Sequence, residues 1–268
     1  MEDVKDFALI TGASSGIGLA ISRELAGRGY PVLLVSNEEE RLRQEAAGIE
    51  KEFGIQAIAL YMDLAQTDSA QKLFDYCKEN KIKVTILVNN AGIFFFKDIT
   101  DTQKDRLETV INLHILCPTL LCKLFAGQMI QENREGYILN MASIAAQMMM
   151  PGITMYNASK SYLRCFSRAM RHEIFEKGVS VTTICPGAAA TGLYNLPPRY
   201  MKLGIRLGII MKPEILARKA VKKMFNKKAE YIPAPFINTL FIFIVNVLSE
   251  GLVRKIKRKI DSALNHPA

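Results

Sequence analysis

The chain has 268 residues, of which 49% are hydrophobic and 23% charged, a balance that supports a packed core and excludes disorder throughout. Its length admits one large domain or two small ones, at roughly 100–200 residues each. The net charge of +9 is uneven: Arg199 to Lys259 holds 15 Lys/Arg against 3 Asp/Glu, a net of +12, leaving 20 against 23, or −3, elsewhere.

The opening residues, MEDVKDFALITG, are acidic and then strand-like, without the basic start and apolar stretch of a secretory leader, so none is expected. Phe7 to Thr11 is a short apolar run ending in a glycine-rich turn, and Ile17 to Leu25 has helical spacing. Val32–Val35, Ala57–Tyr61, Ile86–Val88, Tyr137–Met141 and Val179–Ile184 are further short apolar runs, separated by mostly amphipathic stretches. This βαβα alternation predicts an α/β fold, a parallel sheet covered by helices on both faces. No Pro/Gly/Ser-rich linker interrupts it, so residues 1–232 read as a single doubly wound domain.

After Pro186 the alternation breaks. Residues 188–212 mix loop and helix, Lys212–Phe225 reads as a basic-faced helix, and Ala229–Pro233 offers a last strand. Phe236–Leu248 is apolar but only 13 residues long, too short for a bilayer that needs about 20. With Arg254, Lys255, Lys257, Arg258 and Lys259 behind it, the tail at 233–268 has the pattern of an interfacial helix on an anionic membrane. A subunit contact or closure over the core would use the apolar part equally well. Nucleic acid is not an expected partner, because the basic segment has no interleaved aromatic surface or docking motif. The five cysteines, Cys77, Cys117, Cys122, Cys165 and Cys185, form no CxxC or Cys/His cluster, which predicts a reducing, cytoplasmic setting without disulfides or a metal site.

Gly12, Ser14, Ser15, Gly16, Ile17 and Gly18 lie between the first strand and the first helix, where a dinucleotide loop belongs. Gly12 permits the tight turn, Gly16 lets the backbone approach a diphosphate, and Gly18 lets the helix lie close to the sheet. At the end of the second run, Ser36 and Asn37 provide neither the acid that reads a ribose 2′-hydroxyl nor the Arg that pairs with a 2′-phosphate, while Arg41 follows a run of three glutamates. NAD(H) and NADP(H) both stay open, with a lean to NADP(H).

The loop TGASSGIG, Asn89-Asn90-Ala91-Gly92, Ser143, Tyr156-Asn157-Ala158-Ser159-Lys160, then Pro186-Gly187 and Thr191 occur in this order. Together they resemble the short-chain dehydrogenase/reductase family over roughly residues 5 to 230, and the tail is similar to those of its steroid- and acyl-chain-reducing branch. The resemblance implies a Rossmann-type fold, a nicotinamide cofactor, and a homodimer or homotetramer. It also implies cofactor contacts from Asp63 and Leu64, from Asn90, Ala91 and Gly92, from Tyr156 and Lys160, and from Pro186, Gly187 and Thr191.

Carbonyl reduction needs a hydride and a proton, and a phenol with a pKa of about 10 is too weak an acid to serve untuned. Lys160 follows Tyr156 by four residues, so on a helix both project from one face. Lowering the phenol by ~3 units takes about 4 kcal/mol, within reach of a close cation in a partly desolvated site. Ser143, ending the strand-like GYILNMAS, can donate to the substrate oxygen. The family usually places an Asn on the preceding helix. Here Asn112 offers the residue type, but spacing selects His114, and Leu107, Val110, Ile111 and Leu121 read as lying on its face. His114 is expected to replace the Asn as relay or water anchor.

The variable substrate lid falls in the stretch from Thr191 to Met211, which carries Leu193, Tyr194, Leu196, Tyr200, Met201, Leu203, Ile205, Leu207, Ile209 and Ile210. Met148, Met149 and Met150 add flexible apolar wall. These residues point to a lipophilic ketone or secondary alcohol, of hydroxysteroid or long-chain 3-oxoacyl type. A dinucleotide-binding sensor that has lost its chemistry is the alternative on the same fold.

Overall fold

The computed structural model describes residues 6–194 and 198–265; Leu196 of the expected lid lies outside them. In chain order the elements are β1 (Asp6–Thr11), α1 (Gly16–Ala26), β2 (Val32–Ser36), α2 (Glu39–Phe53), β3 (Ala57–Tyr61), α3 (Ser69–Glu79) and β4 (Lys83–Asn89). Next come α4 (Lys104–Ile111), α5 (Cys117–Gln131), β5 (Gly136–Met141), α6 (Thr154–Ile174) and β6 (Val179–Ile184). The chain closes with α7 (Pro198–Arg206), α8 (Pro213–Phe225), β7 (Glu230–Tyr231), α9 (Pro235–Val247) and α10 (Glu250–Asn265). The seven strands form one parallel sheet in the order β3-β2-β1-β4-β5-β6-β7.

Strand side chains alternate between faces, and two cores result. Ala8, Ile10, Val32 and Leu34 pack with Ile21 and Leu25 of α1, Leu42 and Ile49 of α2, and Leu216 and Val221 of α8. Phe7, Leu9, Leu33 and Val35 pack on the other side with Leu73 of α3, Leu121 and Phe125 of α5, and Met170 of α6. Because both faces are covered, the strands read as apolar runs rather than as a polar/apolar alternation. Cys77, Cys117, Cys122 and Cys185 are buried, Cys165 is exposed, and all five thiols are free. Among the described residues no His/Cys/Asp/Glu group could hold a metal.

Helices α4 and α5 form one helix of 28 residues joined by a widened π-helical turn at Asn112–Leu116. Pro118 accounts for that turn. It has no N–H to return to the carbonyl four residues earlier, that of His114, and its ring crowds the same oxygen. The extra residue rotates what precedes it, so Ile111, expected on the face of His114, is exposed, whereas Val110 and Leu121 are buried as expected. The helix is long and apolar enough to cross a bilayer, yet 44% of its apolar window is buried inside the fold, where its hydrophobicity serves the core.

Candidate active site

The sheet order reverses direction between β1 and β4, so the loops leaving these two strands part and open a crevice, the switch point at which such sheets bind ligands. One side chain ties the two loops together. Thr11 Oγ1 accepts from the Asn90 N–H at 2.9 Å and the Ala91 N–H at 3.1 Å, and donates to the Val88 carbonyl at 3.2 Å. Asn90 answers by donating through Nδ2 to the carbonyls of Thr11 and Gly12, at 2.9 and 3.2 Å.

The glycine loop is close-packed from behind. Gly12 has φ +65°, and a Cβ there would lie 2.9 Å from Ala91 Cα; one on Gly16, at φ +57°, would lie 3.0 Å from Thr191 Cγ2. A Cβ on Gly18 would stand 2.1 Å from the Gly12 carbonyl oxygen. Gly18, expected within the dinucleotide loop, therefore sets the approach of α1 to the loop and does not itself line the cleft.

The cleft has a volume of about 890 Å³. Ser14, Ser15, Gly16 and Ile17 line it with Gly12, beside Ser36 and Asn37 at the end of β2. The hydroxyls of Ser14 and Ser36 are 2.9 Å apart, and Ser36 also accepts from the Glu38 N–H. Arg41 lies 3.9 Å from the Glu38 carboxylate, both largely exposed. Asp63 and Leu64 line the cleft after β3; Asp63 also caps its own turn, accepting from the Ala65 N–H and from Gln66 Nε2. Asn90, Ala91 and Gly92 follow from β4, and Pro186, Gly187 and Thr191 from the loop after β6.

Ser143, Tyr156 and Lys160 meet in the same cleft. Ser143 ends β5, accepts from the Ala145 N–H at 3.1 Å and reaches the Pro186 carbonyl at 3.5 Å. The Lys160 ammonium donates to the Met141 carbonyl at 2.9 Å and lies 5.7 Å from the centre of the Tyr156 ring. Only 5% of Lys160 is exposed, and burial pushes its pKa down to about 8. Phe94 meets the Tyr156 ring edge-on at 5.1 Å.

Of the two helix candidates it is His114 that lies against the site, 1% exposed, with its ring 5.9 Å from that of Tyr156. Asn112 points elsewhere and donates to the Ala65 carbonyl, bracing the Asp63 turn. Both nitrogens of His114 are taken. Nε2 accepts from the Ile93 N–H at 2.9 Å, which leaves Nδ1 as the protonated nitrogen, 3.0 Å from Ser159 Oγ. Ser159 passes its own proton to the Tyr156 carbonyl at 3.0 Å. Burial, and then the charge of Lys160, hold the imidazole pKa well below 6.5. A relay through this ring, expected from the sequence, does not fit: Nε2 accepts from a backbone N–H, which does not give up its proton, so the ring has no second partner to complete a transfer. Ser159 and Ile93 were missed in the sequence reading. Ser159 sits three residues after Tyr156, on the side of α6 that faces α5, a position that helical spacing alone makes legible.

The family described as short chain dehydrogenase matches residues 6–196. The chain belongs to that family. A very-long-chain 3-oxoacyl-CoA reductase of Anas platyrhynchos is 32% identical over 197 residues, 71% of this chain but 62% of that protein. The chain thus spans about three fifths of that relative. An uncharacterized oxidoreductase of Bacillus subtilis is 30% identical over 236 residues, 86% of this chain and 96% of that protein. Among solved structures, a short-chain dehydrogenase from Sphingobium yanoikuyae in complex with NADPH aligns with a TM-score of 0.77 at 24% identity, over 91% of this chain and 97% of that one. The last likeness concerns the fold. The residues present here also fit a dinucleotide on their own geometry, because the loop at Gly12 and Gly16 leaves no room for a Cβ and opens onto the N-terminus of α1.

Proposed function

We propose that the protein is an NAD(P)-dependent oxidoreductase that interconverts a lipophilic ketone and a secondary alcohol. The observation that carries this reading is the convergence of Ser143, Tyr156 and Lys160 on the cleft that the glycine loop also lines. A nicotinamide bound there would supply or accept the hydride. Gly12, Ser14, Ser15, Gly16 and Ile17 bind the diphosphate side through backbone N–H groups and hydroxyls, and Ser36, Asn37, Asp63 and Leu64 hold the adenosine side. No acid stands at Ser36 or Asn37 to repel a 2′-phosphate, and Arg41, on the cleft beside Glu38, is the cation that would pair with one, which leans the reading to NADP(H).

In reduction, Tyr156 gives its phenolic proton to the carbonyl oxygen and Ser143 donates a hydrogen bond to the same oxygen as charge gathers on it. Lys160, held by the Met141 carbonyl, stabilises the phenolate left behind. His114 is a positioning residue: it fastens the loop at Ile93 to Ser159, and through Ser159 to the carbonyl of Tyr156. The substrate side is apolar, with Ile93, Leu193 and Met201 on the cleft, and behind it Ile144 and Met148, against which Tyr156, Ile242 and Val245 pack. Such walls suit a hydroxysteroid or a long-chain 3-oxoacyl group. Free thiols throughout support a cytoplasmic setting, the basic apolar tail supports peripheral contact with a membrane, and the family's habit supports a homodimer or homotetramer.

The test follows NADPH and NADH absorbance with steroid ketones and long-chain 3-oxoacyl thioesters, using wild type and Tyr156→Phe. Oxidation by wild type that disappears in the variant is the expected result. Binding of cofactor with no turnover on any ketone would favour the silent sensor instead.

A further inference from the structure

Helix α9 has two unlike faces. Asn238, Ile242 and Val245 are half-buried and look inward. Ile242 and Val245 pack on the cluster of Ile144, Ala145 and Met148, on which Tyr156 also packs, and Asn246 donates to the Gln147 carbonyl at 2.8 Å. Asn238 stands so close to Gly187 that a Cβ there would meet its Oδ1 at 2.7 Å. Helix α9 thus packs behind the cleft, against the segment that follows Ser143 and against Gly187. The outward face is apolar and bare: Phe236 is 81% exposed and Phe243 63%, with Leu240, Phe241, Ile244 and Val247 exposed beside them. No charged residue occurs from Ile232 to Ser249. A continuous apolar surface of this kind marks a place where something other than water belongs.

The neighbouring helix says what that is. Helix α10 follows at a bend of 110°, and Arg254, Lys255, Arg258 and Lys259 on it are exposed. Arg254 pairs within the helix with Glu250 at 3.2 Å, and Lys257 bridges to Asp98 at 2.8 Å, in the loop that carries Ile93 and Phe94 past the site. A second copy of this chain seated face to face by a two-fold axis would bring two such basic helices together, which like-charge repulsion opposes. An anionic lipid surface satisfies both faces at once, apolar side chains among the acyl chains and ammonium groups at the phosphates. We propose that α9 and α10 seat the enzyme on an anionic bilayer, with the outward face of α9 in the lipid and its inward face on the segments that border the substrate cleft. A lipophilic ketone then enters from the membrane past α9. This rests on the lipophilic-carbonyl reading above and adds the surface and the route of entry.

The full-length protein is floated with vesicles of phosphatidylcholine alone or mixed with phosphatidylglycerol. Two variants are compared, Phe236→Asp/Phe243→Asp and Lys255→Glu/Arg258→Glu/Lys259→Glu, with thermal unfolding to verify that both fold. Wild type is expected on the mixed vesicles. The aspartate variant should lose at least about tenfold in binding and in turnover of a long-chain ketone dissolved in the vesicles, while turnover of a short water-soluble ketone stays unchanged. The glutamate variant should lose its preference for phosphatidylglycerol, about fivefold for each Lys or Arg removed. The proposal is overturned if wild type ignores both vesicles, if the variants bind as it does, or if the aspartate variant merely turns a dimer into a monomer. Vesicle binding without turnover of any ketone would sink the catalytic reading and leave the dock standing; turnover of the short ketone without vesicle binding would do the reverse.

Discussion

The two sides of the cleft are built by different forces. On the nucleotide side, Thr11, Asn90 and the glycines of the first loop are fixed by directional hydrogen bonds and by contacts too close for a Cβ. On the substrate side, Leu193 and Met201 line the cleft, and Ile242 and Val245 pack behind it on Ile144 and Met148; apolar packing asks for a property and a volume and tolerates exchange. The first kind of construction names its residues and therefore its ligand; the second names only a class of ligand. The same division should appear when each side is perturbed.

The largest effect is expected at Tyr156, the proposed proton donor, which stands between the two. Tyr156→Phe keeps the ring against Phe94 and His114 and removes only the hydroxyl, so turnover should fall by about 10²–10⁴ while NADPH still binds. A fall of less than tenfold, measured with saturating cofactor, would mean that the proton comes from elsewhere. Next in size is the effect of pH. With the pKa of Lys160 at about 8 in the cofactor-free protein, the ammonium is present below that value and lost above it. The kcat/KM for reduction, which reports groups of the free enzyme, should therefore decline above pH about 8, approaching tenfold per unit. His114, already neutral, adds no step between pH 6 and 8. A rate that climbs steadily from pH 8 to 10 would show that the lysine charge is not needed.

Legibility in the sequence followed the same division. The glycine loop, Asn90, Ser143, Tyr156 and Lys160 could be placed from their letters because each meets a demand few residue types satisfy. The strands could be placed because both faces of the sheet are covered and leave apolar runs. Where the reading went astray, a local geometry replaced an ideal one. A regular helix of 3.6 residues per turn put Ile111 with His114, and the widened turn at Asn112–Leu116 moved it out to solvent. The engagement of both His114 nitrogens depends on Ile93 and Ser159, which are 21 and 45 residues away in sequence, so no local pattern could reveal it. Helix α9 was legible as apolar, but not as a neighbour of the site, because that follows from its packing on Ile144 and Met148 and beside Gly187.

That geometry makes His114 the next point at which to press. His114→Ala frees the Ile93 N–H and Ser159, both of which border the reacting groups, and a displacement of about 1 Å there can cost up to about 10² in rate; turnover should drop about ten- to a hundredfold. Asn112→Ala, which releases only the Asp63 turn, should cost less than about threefold. His114→Asn can still accept from Ile93 and donate to Ser159, so it should recover much of the loss with an unchanged pH profile. A profile that shifts with the Asn variant would restore a proton-carrying role for the ring, and a larger loss in Asn112→Ala would reverse the assignment of the two residues.

The smallest effect should come from the substrate wall, and its smallness is informative. Met201 is on the cleft but in α7, where its neighbour Leu203 is exposed, as is Leu207 just beyond the helix, so Met201→Ser removes apolar contact without opening a buried cavity. Losing one side chain from an apolar pocket costs about 1–3 kcal/mol in discrimination, and a partly exposed methionine belongs near the lower end. The KM for a long-chain ketone should therefore rise about five- to tenfold, while kcat and the KM for a short ketone hold. A fall in kcat for both ketones would mean that Met201 helps to order the reacting groups, and the separation between the two sides of the cleft would not survive it.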